Sequence, residues 1–213
     1  QYDKNLYTLK LDIRKYFYSI NRNILKRLIE RKIKDKRFVN MMMKFTIYEN
    51  PVGIPIGNLL SQIYALIYLN PLDHFVKRIL KIKHYVRYVD DFILIGLTRN
   101  ECLKYKSKII VFLKNKLSLA LSKSIIQKIK RGVNFVGYRT WQNYKLIRKY
   151  SLYNFKRSVK KGKLQSIISL LGHAKGTLSL KHMLKIIKEA NKYAKNIQIP
   201  KGYRPIYNLY CCR

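Results

Sequence analysis

At 213 residues with 48% hydrophobic content, the chain is long enough to bury a sizeable core, which excludes a disordered polybasic tail. Lys and Arg number 46 against 10 Asp and Glu, a formal charge of +36 that repels itself until something anionic binds, and nucleic acid is the first candidate. Cys102, Cys211 and Cys212 match neither a disulfide framework nor a metal-ligand spacing, which fits a reducing cytoplasm, and no apolar run approaches the ~20 residues of a membrane span.

The opening "QYDKNLYTLKLDI" is no signal peptide and runs almost directly into a strand, as a fragment lacking its N-terminal part would. Leu6 to Ile13 alternates as a strand with Asp12 near its end, and Asn21 or Asn23 can cap the helix in "ILKRLIERKI". A second helix is expected over 36–48, and "NPVGIPIGN" (50–58), with its Pro and Gly pairs, must be a loop. The following "LLSQIYALIYLNPLDHFVKRIL" is apolar on nearly every face, as a core helix is, with Pro71 kinking it or opening a new turn. Next, "HYVRYV" and "FILIGL" are β-rich runs separated by Asp90 and Asp91 alone, the spacing of a tight hairpin with both acids at its tip. A long helix is expected over 100–119 and a strand over 133–141. Beyond Ser151 the pattern changes to short basic helices at 152–161, 163–171 and 179–195, broken at Gly162, Gly172 and Gly176. The division is therefore placed near Tyr150, into 1–150 and 151–213.

An Asp in a turn usually bonds local backbone amides, and either Asp12 or an isolated Asp-Asp pair has that ordinary explanation. Together they carry more. An Asp at a strand end and an Asp-Asp hairpin tip meet when their strands lie side by side in one antiparallel sheet, and carboxylates that close repel unless a hard cation neutralises them. Mg²⁺ suits such a site, completing its octahedron with water and substrate phosphates.

The residues "YVDD" at Tyr88 to Asp91, inside an apolar hairpin, resemble the signature of reverse transcriptases. "LKLDIRKYFYSI" (Leu9 to Ile20) is similar to the first palm motif of that family and "GIPIGNLLSQIYALIYLNPLD" (Gly53 to Asp73) to the second. The order and separations match over nearly the whole chain. Within the family, Ile56 to Gln62 resembles diversity-generating retroelement enzymes, while retron, group II intron and phage-defence enzymes share much of the rest.

The resemblance implies an α+β fold, a right-hand polymerase palm of antiparallel sheet packed on helices, followed by a small helical thumb. It implies an RNA-directed DNA polymerase of a bacterial or phage retroelement, copying a template RNA with errors by two-metal nucleotidyl transfer. Asp12 and Asp90 would hold two Mg²⁺ ions, with Mn²⁺ able to substitute; Asp91 would support one and the Ile13 carbonyl would complete a site. Arg14 and Lys15 would face the triphosphate, and Tyr16 would belong with them to the nucleotide-binding set. Phe17 would block a ribose 2′-hydroxyl, although as part of "KYFYSI" it is equally a core aromatic. Gly57 would let the backbone approach the nucleotide, Ile56 would touch it without a polar contact, and Gln62 marks the subfamily or is a plain surface residue. Lys123 corresponds to a proton donor to pyrophosphate, among many lysines. Phe135, Gly137 and Tyr138 resemble the primer grip, and His173 is read as structural.

Template RNA, a primer, deoxynucleoside triphosphates and, for the diversity-generating type, a small basic accessory protein are the implied partners. The family's fingers region is not found before the first palm motif. Two other classes stand beside this reading. One is a non-polymerising RNA-binding protein on a palm scaffold, against which all three palm carboxylates speak; the other is a ribosome-associated basic protein, which leaves the hairpin acids unexplained.

Overall fold

The alternation in β1 (Tyr7–Ile13) sets the layering of the first part of the chain: Leu9, Leu11 and Ile13 are buried on one face, and Lys10 and Asp12 fall on the other. The computed structural model describes residues 6–47, 52–192, 197, 198 and 202, and divides the chain into two units, 1–129 and 130–213.

In the first unit, β1 is followed by α1 (Tyr16–Ser19), α2 (Arg22–Glu30), α3 (Lys36–Lys44) and α4 (Leu59–His74). The Asn21 side chain accepts from the amides of Asn23 and Ile24, and Asp35 caps α3 in the same way, so each helix starts where a side chain satisfies its orphan donors. The helix expected over 36–48 stops at Lys44, where the Phe45 and Thr46 amides turn back to the Met42 and Met43 carbonyls; Tyr48 lies outside the described residues. Cys211 and Cys212 lie outside them too. The helix α4 continues past Pro71 rather than ending there, and is followed by a π-helical turn, Phe75–Ile79, closed by the Leu80 amide on the Phe75 carbonyl.

Next come β2 (His84–Tyr88), β3 (Asp91–Leu97), α5 (Arg99–Leu117) and β4 (Leu121–Lys128). The four strands form one sheet in the order β2-β3-β1-β4, every neighbouring pair antiparallel, which is the β-α-β-β-α-β pattern of ferredoxin-like folds. One face packs Leu9, Leu11, Phe92 and Leu94 against Tyr64, Tyr68 and Leu72 of α4 and Ile109 and Leu113 of α5. Each of these leucines, fully buried, contributes roughly 2 kcal/mol of transfer free energy. The opposite face carries Lys10, Asp12, Asp91 and Lys123 together with the exposed Val86, Tyr88 and Ile125.

The second unit pairs β5 (Val133–Phe135), β6 (Tyr138–Thr140) and β7 (Lys145–Ile147) into an antiparallel sheet, followed by α6 (Lys149–Lys160), α7 (Leu164–Ala174) and α8 (Ser179–Lys192). The segment 133–141, expected as one strand, is a hairpin turning at Val136 and Gly137. Ile147 shares a core with Phe155, Val159, Ile167, Leu171 and Met183, so these strands go with the helices that follow them. The strands β4 and β7 are not foreseen by the sequence analysis, and the part of the last expected helix over 193–195 lies outside the described residues. Among the described residues no helix is long and apolar enough to cross a membrane.

Candidate active site

Asp12 sits at the next-to-last position of β1, where the register sets its Cα directly opposite Asp91 of β3 on one side and Lys123 of β4 on the other. The three residues therefore share the face of the sheet opposite the one that packs on α4 and α5. The hairpin tip is offset by one residue from the sequence expectation: Tyr88 pairs with Asp91, so the two loop residues are Val89 and Asp90, and Asp91 belongs to the strand. Val89 has φ 54°, the left-handed conformation that two-residue hairpin loops demand at their first position and that a β-branched residue resists.

A partly buried clamp beneath the tip holds this strained turn. The Arg87 guanidinium donates to the Val89 carbonyl at 3.0 Å and, through Nε, to Asp73 of α4 at 2.8 Å; the Tyr85 hydroxyl donates to the same carboxylate oxygen at 2.7 Å. Burial works against the Arg87 charge, but the Asp73 carboxylate outweighs it and holds the guanidinium above its ordinary range. The turn that carries Asp90 is thereby tied to the core helix α4.

A bulge aims Asp12. Lys123 pairs with Asp12 and Leu121 with Ile13, so Ser122 is an extra residue in β4. Its hydroxyl donates to Asp12 Oδ2 at 2.6 Å. Asp91 is held differently, by an ion pair from Lys10 Nζ to Oδ2 at 2.6 Å, while its Oδ1 is buried with no hydrogen-bond partner. Burial, and after it the charges of Asp12 and Asp91, raise the Asp90 carboxyl above the usual carboxylate range.

An unpartnered buried carboxylate oxygen, a carboxyl whose charge is disfavoured by two like neighbours, and hard oxygen donors throughout are what a divalent cation of the Mg²⁺ type compensates. The residues present fit such an ion. Among the described residues no three acidic side chains already converge on one centre; Asp91 is turned to Lys10.

The remaining predicted residues separate by exposure. Arg14 and Lys15 are exposed just beyond β1. The Tyr16 side chain lies in the core, 2% exposed, with its hydroxyl donating to the Ala65 carbonyl. Phe17 is half-buried, packs edge-on against Tyr16, and its carbonyl accepts from the Ile54 amide, which ties the 53–57 loop to the end of the first motif. In that loop Ile56 is 59% exposed and Gly57 has φ 96° with open space where a Cβ would stand. Gln62 is exposed on the first turn of α4. Phe135, Gly137 and Tyr138 lie in the second unit, where the Tyr138 hydroxyl donates to the His173 carbonyl and the two rings pack at 4.7 Å, a structural role for His173.

Four residues of the site's frame escape the sequence analysis: Lys10, Asp73, Arg87 and Ser122. Lys10 carries a readable signal, since two residues before Asp12 in a strand means the same face. The bulge at Ser122 has none.

Residues 1–140 match the family model described as reverse transcriptase (RNA-dependent DNA polymerase). The protein named "Putative COX1/OXI3 intron 2 protein" of Saccharomyces cerevisiae is 24% identical over a 215-residue alignment covering 66% of this chain and 25% of that protein. The chain thus spans about a quarter of that relative's length. Among solved structures, a telomerase from Candida albicans in complex with a fragment of telomeric RNA is similar over 89% of this chain and 42% of that one, with a TM-score of 0.53 and 16% identity. A foamy viral protease-reverse transcriptase in complex with an RNA/DNA hybrid is similar over 89% of this chain and 28% of that one, with a TM-score of 0.51 and 19% identity. At these identities the structural likeness establishes the fold, an α+β polymerase palm type.

Proposed function

Since the chain belongs to the reverse transcriptase family, we propose that it carries the catalytic palm of an RNA-directed DNA polymerase, which extends a primer 3′-end on an RNA template with deoxynucleoside triphosphates and releases pyrophosphate. The observation that carries this reading is the register that sets Asp12 against Asp91, one residue from Asp90 at the tip. Asp12, Asp90, Asp91 and the Ile13 carbonyl are the groups to hold two Mg²⁺ ions. Such ions, when bound, lower the pKa of the primer hydroxyl and neutralise charge on the phosphates.

The chain's own residues position and donate. Gly57 leaves the nucleotide's approach open, Ile56 offers it an apolar contact, and Arg14 and Lys15 are exposed to meet phosphate oxygens. Phe17 is the steric gate against a 2′-hydroxyl. Lys123, exposed and opposite Asp12, is the proton donor to the leaving pyrophosphate. Phe135, Gly137 and Tyr138 serve as the primer grip, and the helices beyond residue 150 as a thumb that follows a duplex by its phosphates.

The test is primer extension on RNA with the full-length protein. Asp90→Ala is expected to abolish Mg²⁺-dependent incorporation while RNA affinity stays nearly unchanged; an Asp90→Ala protein that still extends refutes the assignment.

Two retroelement settings have support. Ile56 to Gln62 resembles the diversity-generating type, with error-prone copying at template adenines and a small basic accessory protein; the likeness to the yeast intron protein favours an intron-encoded enzyme. Sequencing products copied from an adenine-rich template separates them, since errors equal at all four bases count against the diversity-generating type.

A further inference from the structure

The two carboxylates that face each other across β1 and β3 are held by chemically different donors. Asp12 Oδ2 accepts from a neutral hydroxyl, that of Ser122, whereas Asp91 Oδ2 accepts from an ammonium, that of Lys10, both at 2.6 Å. Lys10 pairs in register with Ile93, so it reaches diagonally across the sheet, past its opposite number, to Asp91. The Lys10 and Asp91 side chains are only 21% and 25% exposed, so solvent and salt screen the pair less than one at the open surface. The other Asp91 oxygen is buried and unpartnered, which leaves this carboxylate half-satisfied and turned towards the lysine.

We propose that Lys10 is a resident counter-ion of the carboxylate cluster, which holds Asp91 while the metal is absent and competes with divalent ions for it. Asp12 and Asp90 are then the carboxylates that take a metal first, and Asp91 joins only as far as the ion displaces Lys10. Lys10 is a positioning residue in this scheme: it acts through Asp91 and sets how tightly the site loads. The inference rests on the metal-site reading given under Proposed function.

The experiment is Mn²⁺ binding to the full chain, followed by electron paramagnetic resonance of the free ion, with melting curves taken in parallel. Lys10→Gln is expected to bind Mn²⁺ roughly three- to fivefold more tightly than wild type, the range that loss of one partly screened pair supplies. It is also expected to melt lower without metal and to gain more on its addition. Lys10→Arg, which keeps the charge, is expected to bind like wild type and so separates charge from lost packing. In an Asp91→Asn background the Lys10→Gln effect is expected to vanish. Lys10→Gln that binds Mn²⁺ no more tightly than wild type, or a gain that persists with Asn at 91, overturns the inference alone. Wild-type binding that survives Asp90→Asn overturns the metal-site reading and the inference with it.

Discussion

Asp90 bears the electrostatic cost of the site. Its raised pKa, caused first by burial and then by Asp12 and Asp91, means that the metal-free fold disfavours the ionised carboxyl relative to the unfolded chain. The native state therefore binds more protons than the unfolded chain between the ordinary Asp range and the raised value, and stability is greatest below that window and falls as pH rises through it. Asp90→Asn removes the loss, so in chelator at pH 7 the variant is expected to melt about 2 °C higher than wild type by differential scanning fluorimetry, with the difference gone at pH 3. Arg87 is the opposite case, a cation whose removal takes the counter-charge from the Asp73 carboxylate, which keeps the Tyr85 hydroxyl, and frees the Val89 carbonyl. Arg87→Met is expected to cost about 2 kcal/mol in urea unfolding. It is also expected to weaken Mn²⁺ binding, because the strained tip is no longer tied to α4.

Among the elements, α5 owes its start to a capping box: the Thr98 side chain accepts from the Glu101 amide, and the Glu101 carboxylate accepts from the Thr98 amide and hydroxyl. Thr98→Ala is expected to lower stability by about 1 kcal/mol. These bonds hold the Glu101 carboxyl below its usual range, so their contribution is present above the ordinary Glu pKa and lost as pH falls through the depressed one. Urea melts at pH 7 and pH 3 check both statements; an equal cost at the two pH values counts against the carboxylate's share.

The same scale shows what the sequence makes legible. The alternation of Leu9, Leu11 and Ile13, all buried on one face, marks β1, and the apolar runs around Asp90, with Phe92, Ile93 and Leu94 all buried, mark the β2–β3 hairpin. The strand β4 is hidden: "LSKSIIQK" lies at the sheet's edge with Ser122 to Ile125 all exposed, so no alternation is imposed on it. The strand β7 has three residues, too few for a period to show. The offset of the hairpin tip is likewise invisible, since either Val89-Asp90 or Asp90-Asp91 leaves an apolar strand on both sides, and it is the pairing of Tyr88 with Asp91 that decides. The burial of Tyr16 is invisible for a related reason: "KYFYSI" does not say which of its three aromatics the turn of α1 sends inward.

For the whole molecule, a charge of +36 means that the nucleic-acid affinity proposed for it is expected to come from basic side chains more than from the three carboxylates. RNA binding by wild type and by Asp90→Ala is expected to fall together, by about a thousandfold or more between roughly 50 and 200 mM salt. Fluorescence anisotropy titrations across that range check it, and a flat dependence counts against phosphate contacts as the source.

The central position of β1 in its sheet has one more effect. Its partners lie far along the chain: Asp12 meets Asp91 on one side and Lys123 on the other. During synthesis, β1 must wait until the ribosome has delivered the last of its neighbours, and closing loops this long makes the pairing slow. A nascent chain stopped before residue 121 has made every acid of the cluster and still lacks the edge that bears Ser122 and flanks Asp12. The arrangement of Asp12 against Asp91, Ser122 and Lys123 is thus among the last things this unit acquires.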